Sequence, residues 1–436
     1  MKKVLVIASH FPPNATGGVI RIAKLTKYFG QFGWQSVVVT STATVQTEEL
    51  KSDVKNVASV YRFSAFDIRK LFFMAKSAVV FVKALISKLN KGHIKKEAAI
   101  TNQKKTGRTQ SSLAHRFVIP DYMIFWVPLA ILGGVYAAKK HKVSVILSTS
   151  PLPSANLVAY CVSKLARLPW VLDMRDPWTT NPIGEKRGHP CLERFDRFLE
   201  SKALKSADHV VVVSSYFIPP IIEAFPFIPQ DKFSVVTNGY DPDDFVNLKV
   251  KKFDKYTIAH CGSFYQDRSA IPFLEALRKL LDANPTYVQH LQVMLVGDAG
   301  IEAQLKAREL GLLHVVKFVG IVPHTESLSF IAGADLLLLV PGPGKSTMTG
   351  KVFEYLAVQK PILALVGEGG LKEMLEEYDI GQVVDPNDVE SIKNAILSKY
   401  ESRTSPTEGN FTQIENNYSR KEIARRIAFI MDSVSK

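Results

Sequence analysis

Residues 335–357 read DLLLLVPGPGKSTMTGKVFEYLA and divide into an apolar run, a loop and a helical stretch. The run of leucines ending in valine indicates a strand buried on both faces, and the loop rich in Gly, Pro, Ser and Thr ends where a helix is predicted to begin, near Thr349. A strand that enters a helix through such a loop is the repeating unit of α/β proteins. The stretch therefore predicts a helix N-terminus at the carboxyl edge of a parallel sheet.

The start of that helix is a candidate anion site. Thr349, Gly350 and Lys351 would bring free backbone amides, the positive end of the helix dipole and an ammonium group together, which suits a diphosphate. Glu354 lies one turn further and could hold two vicinal hydroxyls, such as those of a ribose. A role for Glu354 as a helix-dipole or capping-box partner at the helix start is an equally good interpretation.

Similar units recur along the whole chain of 436 residues, which is long enough for two or three domains. Apolar, β-branched runs predict two sets of strands, alternating with helical stretches. The predicted strands are 3–8, 36–40, 143–148, 169–173, 209–213 and 233–236, followed by 256–261, 291–296, 315–319, 335–340, 361–365 and 382–384. This order predicts an α/β protein with two Rossmann-like domains whose parallel sheets face a cleft. We place these domains at residues 1–250 and 251–415, and expect a last helix within 416–436 to pack back on the first domain.

Positive charge is concentrated in one segment. Residues 69–108 hold eleven Lys/Arg against the single acid Glu97, which accounts for +10 of the net +14. The rest of the chain is close to neutral, so a nucleic-acid partner is not expected. Residues 69–96, within an insertion at about 66–112, form a basic face opposite an apolar face, which favours docking on an anionic membrane surface. A helix packed on the domain with solvated lysines is the alternative.

Two apolar runs raise the question of a membrane span. Residues 71–86 contain two lysines, and residues 122–138 contain a proline and a Gly-Gly pair, so neither is expected to cross a bilayer. The three cysteines form no CxxC pair, which excludes a disulfide scaffold and argues against a structural zinc site. We therefore expect a cytoplasmic protein, peripheral on the inner face of the cell membrane.

Two loops of the first domain carry candidate residues. Gly17 and Gly18 precede a helix, where they would allow a phosphate contact or simply form a strand–helix turn. The dinucleotide fingerprint GxGxxG is absent, which weighs against NAD or FAD. Arg175 and Asp176 follow a predicted strand; Arg175 could pair with an anion and Asp176 could accept a hydrogen bond or proton, or the two could form a structural ion pair.

The second domain opens with a comparable loop. Gly262 follows the strand at 256–261 and would allow a ligand to approach the backbone closely. Arg268, six residues further, is a candidate phosphate clamp because a guanidinium binds oxyanions through two hydrogen bonds. A solvated arginine is the alternative interpretation.

In this order the motifs resemble the retaining, nucleotide-sugar-dependent glycosyltransferases of family 4, which have the GT-B fold. The resemblance covers nearly the whole chain, and this variant looks like bacterial enzymes that build surface polysaccharides. Its motifs are the loop PPNATGG (12–18), Pro120-Asp121 with Trp126, STSP (148–151), PWVLDMRDPW (169–178), NGYD (238–241), GSFYQDR (262–268) and GKVFEYLA (350–357).

The resemblance implies that the second domain binds the donor. Arg268 stands in the place of the family's diphosphate-binding lysine, and Glu354 matches the second glutamate of an E-x7-E motif, which would hold the ribose. Ser346 replaces the first glutamate of that motif, and Ser263 replaces a usual arginine. The donor-binding residues are then Gly17, Gly18, Gly262, Ser263, Arg268, Ser346, Thr347, Thr349, Gly350, Lys351 and Glu354, and the catalytic candidates are Arg175, Asp176, Arg268 and Lys351.

The expected activity is transfer of a sugar, with retention, from a nucleotide diphosphate-sugar to a saccharide or a polyprenyl-diphosphate-linked acceptor in exopolysaccharide, capsule or O-antigen synthesis. No cofactor and no metal are expected, since Arg268, Lys351 and the helix amides would stabilise the leaving diphosphate. Two alternatives remain: a nucleotide-sugar 2-epimerase of the same fold, and a catalytically degenerate, membrane-docked scaffold, which Ser263 and Ser346 would favour.

Overall fold

The computed structural model describes residues 1–14, 18–42, 53–64, 118–181, 189–264, 268–342, 348–403 and 411–435. Gly17, Ser346, Thr347 and the basic segment 69–96 lie outside these residues. By their contacts the residues form two compact units. One comprises Met1–Val211, Ala224–Ser234 and Ala428–Lys436, and the other comprises Val212–Glu223 and Val235–Ile427.

The first sheet has seven strands in the order β3-β2-β1-β4-β5-β6-β7. Their bounds are β1 (Lys2–Ala8), β2 (Trp34–Ser41), β3 (Ser59–Phe63), β4 (Val145–Thr149), β5 (Trp170–Met174), β6 (His209–Val212) and β7 (Phe233–Val235). The neighbours from β3 to β5 pair in parallel, with Leu5 between Val37 and Ile146. The strand order reverses between β1 and β4, and ligands of open α/β sheets bind at the carboxyl ends of strands at such a switch point.

The second sheet has six strands in the order β10-β9-β8-β11-β12-β13, all paired in parallel. Their bounds are β8 (Tyr256–Cys261), β9 (Leu291–Val296), β10 (Val316–Gly320), β11 (Leu336–Leu339), β12 (Ile362–Leu365) and β13 (Gln382–Val384). Here the switch point lies between β8 and β11. Successive residues of β8 enter different hydrophobic clusters, with Ile258 in one and Ala259 in the other, so this sheet is covered on both faces.

Helices connect the strands. Those described up to the start of β8 are α1 (Val19–Phe29), α2 (Val127–His141), α3 (Ser154–Ala166), α4 (Pro190–Ser206) and α5 (Ile218–Ala224). The later helices are α6 (Ile271–Ala283), α7 (Tyr287–His290), α8 (Gly300–Glu309), α9 (His324–Gly333), α10 (Gly350–Ala357), α11 (Gly370–Glu377), α12 (Val389–Glu401), α13 (Phe411–Tyr418) and α14 (Arg420–Val434). In the first unit the end of α14 contacts β1, with Asp432 Oδ1 2.9 Å from Lys2 Nζ.

The predicted α/β architecture with two parallel sheets is confirmed, and all twelve predicted strands are present with ends within two residues of the predicted ones. The sequence analysis missed β3. This strand lies at the edge of the first sheet and is largely half-buried, so its sequence SVYRF lacks the continuous apolar run that marks the central strands. The uncharged run 122–138 falls on a short 3-10 turn and α2. Among the described helices none is long and apolar enough to cross a bilayer.

Candidate functional site

The second sheet brings two candidate loops to one edge. Strands β8 and β11 are parallel neighbours, with Leu336 opposite Ile258, so their carboxyl ends meet at the same side of the sheet. Gly262 and Ser263 follow β8 directly, and the loop after β11 leads into α10. The hydroxyl of Ser263 accepts a hydrogen bond from the backbone of Asp298, at 3.3 Å, which ties the loop after β8 to the loop after β9.

As far as the described residues reach, the N-terminus of α10 has free space beside Gly350. Thr349 is the N-cap residue, and its hydroxyl accepts only a long hydrogen bond, 3.4 Å, from the backbone N–H of Lys351. A Cβ atom at Gly350 would meet nothing within 4 Å. The first N–H groups of a helix have no intrahelical partner and lie at the positive end of its dipole. This helix end therefore offers backbone donors and positive potential to an approaching anion.

Arg268 lies against the loop that leads to α10. A Cβ atom at Gly342 would come within 2.9 Å of Arg268 Cγ and 3.2 Å of its Nε, so the arginine stem packs directly over this glycine. Gly342 also has φ +88°, a left-handed conformation that side chains disfavour. The positive φ and the close contact both require glycine at position 342. The contact also places the guanidinium of Arg268 beside the loop before α10.

Glu354 is held by two cationic or hydrogen-bonding partners. Lys351 Nζ lies 2.8 Å from one carboxylate oxygen, and His324 Nε2, from the first turn of α9, lies 3.1 Å from the other. Burial alone would raise the pKa of Glu354, but the Lys351 ammonium and the His324 hydrogen bond outweigh it and lower this pKa to about 2. The same hydrogen bond raises the pKa of His324. The carboxylate is thus fixed in its charged form.

The capping-box interpretation of Glu354 fails on geometry. A capping box needs Glu or Gln at the third helical position, and with Thr349 as N-cap that position is Val352. Glu354 is two residues further along α10.

The side chain of Glu354 keeps about a fifth of its surface exposed, and those of Lys351 and His324 keep 29% and 27%. A ligand can therefore reach the Lys351–Glu354 pair.

His260 belongs to the same edge, and the sequence analysis did not include it among the candidate residues. Its Nδ1 lies 3.0 Å from the carbonyl oxygen of Leu338, and because a carbonyl only accepts, Nδ1 carries the proton. Its ring stacks on Phe264 with centroids 4.3 Å apart. Burial is the main cause that lowers the pKa of His260 to about 4, and the positive charges of Lys351 and Arg268 contribute in the same direction, so the ring is neutral and Nε2 is an acceptor.

In the first unit the structure brings Gly18 and Arg175 together. Arg175 Nη1 donates a hydrogen bond of 2.7 Å to the carbonyl oxygen of Gly18, at the start of α1. A Cβ atom at Gly18 would lie 2.9 Å from Cδ of Pro151, so the close approach of these loops requires glycine. Asp176, one residue after Arg175, is exposed to solvent.

The ion pair at this edge is formed by residues that the sequence analysis did not single out. Arg21 of α1 contacts Asp173 of β5 through two hydrogen bonds, Nε–Oδ2 at 3.1 Å and Nη2–Oδ1 at 3.0 Å. Thr149 Oγ1 donates a third, at 2.7 Å. The two charged side chains are 1% and 0% exposed. In the sequence, this pair is indicated only by the presence of Arg21 and Asp173 within largely apolar stretches, which is a weak indication of an ion pair.

Within the ranges that the structure covers, no group of three or more His, Cys, Asp or Glu residues is arranged to hold a metal ion. Among the described residues, the positive groups at the second sheet's edge include the helix end, Arg268 and Lys351.

Several solved structures have a fold similar to that of this chain. Three solved structures cover nearly the whole chain, and at their level of identity they show the fold alone. HepE of Anabaena, solved with UDP, shares 16% identity over 99% of this chain and 100% of its own, with a TM-score of 0.65. A glycosyltransferase of Rickettsia africae shares 15% over 100% and 99%, and the sucrose-phosphate synthase of Thermosynechococcus elongatus shares 15% over 99% of each chain, both with a TM-score of 0.64.

No curated protein sequence matches this chain. Two family models do match it. The glycosyl transferase 4-like domain matches residues 16–239, more than half of the chain, and the domain of glycosyl transferases group 1 matches residues 255–402. The chain therefore belongs to the group 1, family 4-like glycosyltransferases and is a glycosyltransferase of the GT-B fold.

Proposed function

We propose that this glycosyltransferase moves a sugar, with retention of configuration, from a nucleotide diphosphate-sugar to a saccharide or polyprenyl-diphosphate-linked acceptor of bacterial surface polysaccharide. One observation carries the donor assignment. At the switch point of the second sheet, the N-terminus of α10 lies at the same edge as the Lys351–Glu354 pair and Arg268. Anion-binding and hydroxyl-binding groups one helical turn apart match the two parts of a nucleoside diphosphate, the diphosphate and the ribose.

The diphosphate would lie on the helix end. The amides of Gly350 and Lys351, the guanidinium of Arg268 and the ammonium of Lys351 would stabilise the negative charge that grows on the leaving group. Gly262 leaves room beside this position, and Ser263, Ser346 and Thr347 would add hydroxyl contacts. We propose that these groups replace a metal, so a chelator is expected to leave the transfer rate unchanged.

The ribose would bind Glu354. In the described structure the carboxylate is paired with Lys351, and both side chains keep a quarter or a fifth of their surface exposed. A ribose diol can donate two hydrogen bonds to the carboxylate, and the diphosphate can take over the ammonium of Lys351. Donor binding would thus exchange one internal ion pair for two contacts with the ligand, while His324 keeps the carboxylate in place.

The first unit would supply the remaining parts. Gly17 and Gly18 would close on donor and acceptor, and Arg175 would hold that loop through the Gly18 carbonyl. Asp176 is exposed and would orient an acceptor hydroxyl. Retention would follow from attack on the same face of the sugar, with the leaving phosphate accepting the proton. The basic segment 69–96 would bind the anionic inner face of the membrane, where a lipid-linked acceptor resides.

The decisive experiment is a thermal-shift screen of the purified chain against nucleoside diphosphates and nucleotide-sugars. A bound ligand at a hundredfold excess over its Kd raises stability by about 2.7 kcal/mol, so a matching donor should raise the melting temperature clearly. Glu354→Ala and Arg268→Ala should reduce that shift and the turnover of the donor. Unchanged affinity and unchanged turnover in both variants would remove the donor-site assignment.

The same assay separates the alternatives. Formation of an epimeric nucleotide-sugar without any acceptor would identify a 2-epimerase. Nucleotide binding without donor turnover, in the presence of a panel of lipid-linked and free saccharides, would identify a scaffold.

A further inference from the structure

Helix α2 and the turn before it expose a continuous apolar stripe. Phe125, Leu129, Leu132 and Tyr136 are exposed to 50%, 44%, 70% and 55%. Their spacing of four, three and four residues puts them on one face of the helix. Isolated exposed apolar residues are ordinary. A row of four large apolar residues on a single helix face indicates a surface that binds a protein, a membrane or a ligand. We call these four residues the α2 stripe.

The opposite face of α2 is committed to the fold. Ala130, Gly133, Gly134 and Ala137 are buried, and a Cβ atom at Gly133 would overlap the ring of Phe63 in β3. The helix therefore cannot rotate to bury the α2 stripe without losing these contacts. Its 15 residues span about 22 Å, which is too short to cross a bilayer but long enough to lie along one.

The charges within residues 122–142 have one sign. The helix ends in Lys139, Lys140 and His141, followed by Lys142, and all three lysines are exposed. The Lys140 ammonium lies over the ring of Tyr136, 5.3 Å from its centroid, so the cationic end is continuous with the apolar row. Residues 122–142 contain no Asp or Glu. An apolar stripe next to lysines without acids complements an anionic lipid surface.

A second copy of the chain and residues 65–117 of the same chain complement the charges of residues 122–142 less well than an anionic membrane does. A second copy packed through the same face would bring its own lysines to this surface, where residues 122–142 offer no carboxylate. Residues 65–117 of the same chain carry eleven Lys/Arg between 69 and 108, so they too would add positive charge beside Lys139, Lys140 and Lys142. Anionic headgroups neutralise all of these cations at once.

We propose that the α2 stripe inserts into the interface of an anionic bilayer, with α2 lying in the membrane plane and its lysines on the headgroups. This surface is additional to the segment 69–96 and does not depend on the donor site. If the proposed function holds, the position of this surface suits a lipid-linked acceptor. Tyr122, three residues before Phe125, contacts His10 just after β1 at 3.1 Å, so the stripe begins at the carboxyl edge where Gly18 lies.

Vesicle flotation tests the surface. The full chain is mixed with vesicles of phosphatidylcholine alone or with 30% phosphatidylglycerol added, and the bound fraction is measured across lipid concentrations. The double variant Leu129→Ser/Leu132→Ser should weaken partition to the anionic vesicles by about tenfold or more. Leu165→Ser is the matched control, since Leu165 is 63% exposed on α3, and it should change partition less than twofold. The triple variant Lys139→Gln/Lys140→Gln/Lys142→Gln should remove most of the preference for anionic vesicles.

Unchanged partition of the stripe variant, with an unchanged unfolding midpoint, would overturn the proposal. So would equal binding of the wild type to neutral and anionic vesicles. A dimer in solution that Leu129→Ser/Leu132→Ser dissociates would identify a second copy as the occupant instead. Donor binding is measured by thermal shift without vesicles, so failure of the donor site and failure of the α2 stripe are distinguishable.

Depth-dependent quenching locates the stripe directly. In Leu132→Trp the added indole should be quenched by vesicles of brominated phospholipid, whereas Leu165→Trp should show no added quenching relative to the wild type. An indole at 132 that is blue-shifted before vesicles are added and unquenched afterwards would show that the chain itself covers the stripe, and would overturn the proposal.

Discussion

Two acid–base pairs lie at the carboxyl edges of the two sheets, and they differ mainly in exposure. In the first unit Asp173 pairs with Arg21, and the two side chains are 0% and 1% exposed. In the second unit Glu354 pairs with Lys351, with 19% and 29% of their side chains exposed. The N···O distances, 3.0 and 2.8 Å, are nearly the same. Distance alone therefore does not separate a structural pair from one that a ligand can use.

Exposure and connectivity separate them. Asp173 accepts from Arg21 on α1 and from Thr149 on β4, so three elements of the first unit depend on one carboxylate. Glu354 and Lys351 lie one turn apart on the same helix, and neither fixes a distant element apart from the contact with His324. A ligand can take over the second pair at small structural cost. The first pair has no route to exchange its partner without opening the unit.

The largest expected effect is on stability, from removing the buried acid. Asp173→Ala leaves the guanidinium of Arg21 buried without its counter-ion, which typically costs about 3–5 kcal/mol. Urea unfolding followed by circular dichroism should show this loss directly. The double variant Arg21→Met/Asp173→Leu removes both charges and should recover a large part of it. A loss below about 1 kcal/mol in Asp173→Ala would show that the pair is not the structural element described.

The second prediction concerns the affinity for the nucleotide-sugar, on which Glu354 is expected to have its main effect. Glu354→Gln should lower the unfolding free energy at neutral pH by about 1–2 kcal/mol, less than Asp173→Ala does. It should weaken nucleotide-sugar affinity about ten- to a hundredfold, since hydrogen bonds to charged groups contribute about 1.5–3 kcal/mol. Isothermal titration calorimetry measures the affinity of each variant for the nucleotide-sugar. Glu326→Gln is the matched control, because Glu326 is 47% exposed and 3.9 Å from Lys251 in the same unit. Equal affinities of the two variants would contradict the role of Glu354.

The fold was largely predictable because its central strands are buried on both faces. The run Leu336–Leu339 is apolar throughout, and the stretch Tyr256–Cys261 is apolar except for Thr257 and His260. Short windows of sequence contain this signal. The edge strand Ser59–Phe63 was missed because half-burial permits polar residues, and then the pattern resembles a loop. The helix at Gly350 was predicted from its Gly/Thr-rich start, which the structure places at the N-cap.

The site was predictable only where its residues are close in sequence. Thr349, Gly350, Lys351 and Glu354 fall within one stretch, so their convergence follows from helix geometry. His324 is 30 residues from Glu354, and Asp173 is 152 residues from Arg21. Such pairings depend on how strands are ordered in the sheet, and a single sequence carries no local signal for them. Arg175 was expected to contact an anion or Asp176, and its contact with Gly18 depends on the same long-range order.

The third prediction uses pH to sharpen the comparison. The folded pKa of Glu354 is about 2, below its ordinary value of 4.5, so its ion pair stabilises the protein above about pH 4.5, and this contribution is lost as the pH falls towards 2. The unfolding free energies of the wild type and Glu354→Gln should therefore differ by about 1–2 kcal/mol at pH 5 and converge near pH 2. Denaturant titrations at pH 5, 4 and 3 measure the difference. A constant gap over this range would contradict the lowered pKa.

The smallest expected effect concerns Arg175, which lies beside the buried pair but contacts the loop of Gly18. The hydrogen bond from Nη1 to the Gly18 carbonyl, 2.7 Å, is typical of a positioning residue. Arg175→Met removes the donor and should lower kcat/KM for the donor sugar about three- to tenfold, because one hydrogen bond contributes about 0.5–1.5 kcal/mol. Most of this change should lie in KM if the loop only shapes the bound state, since a group that acts equally on bound substrate and transition state leaves kcat unchanged. Arg175→Lys keeps a positive donor and should recover part of the loss. A fall in kcat of a thousandfold in both variants, with KM unchanged, would instead assign Arg175 a direct contact with the charge of the transition state.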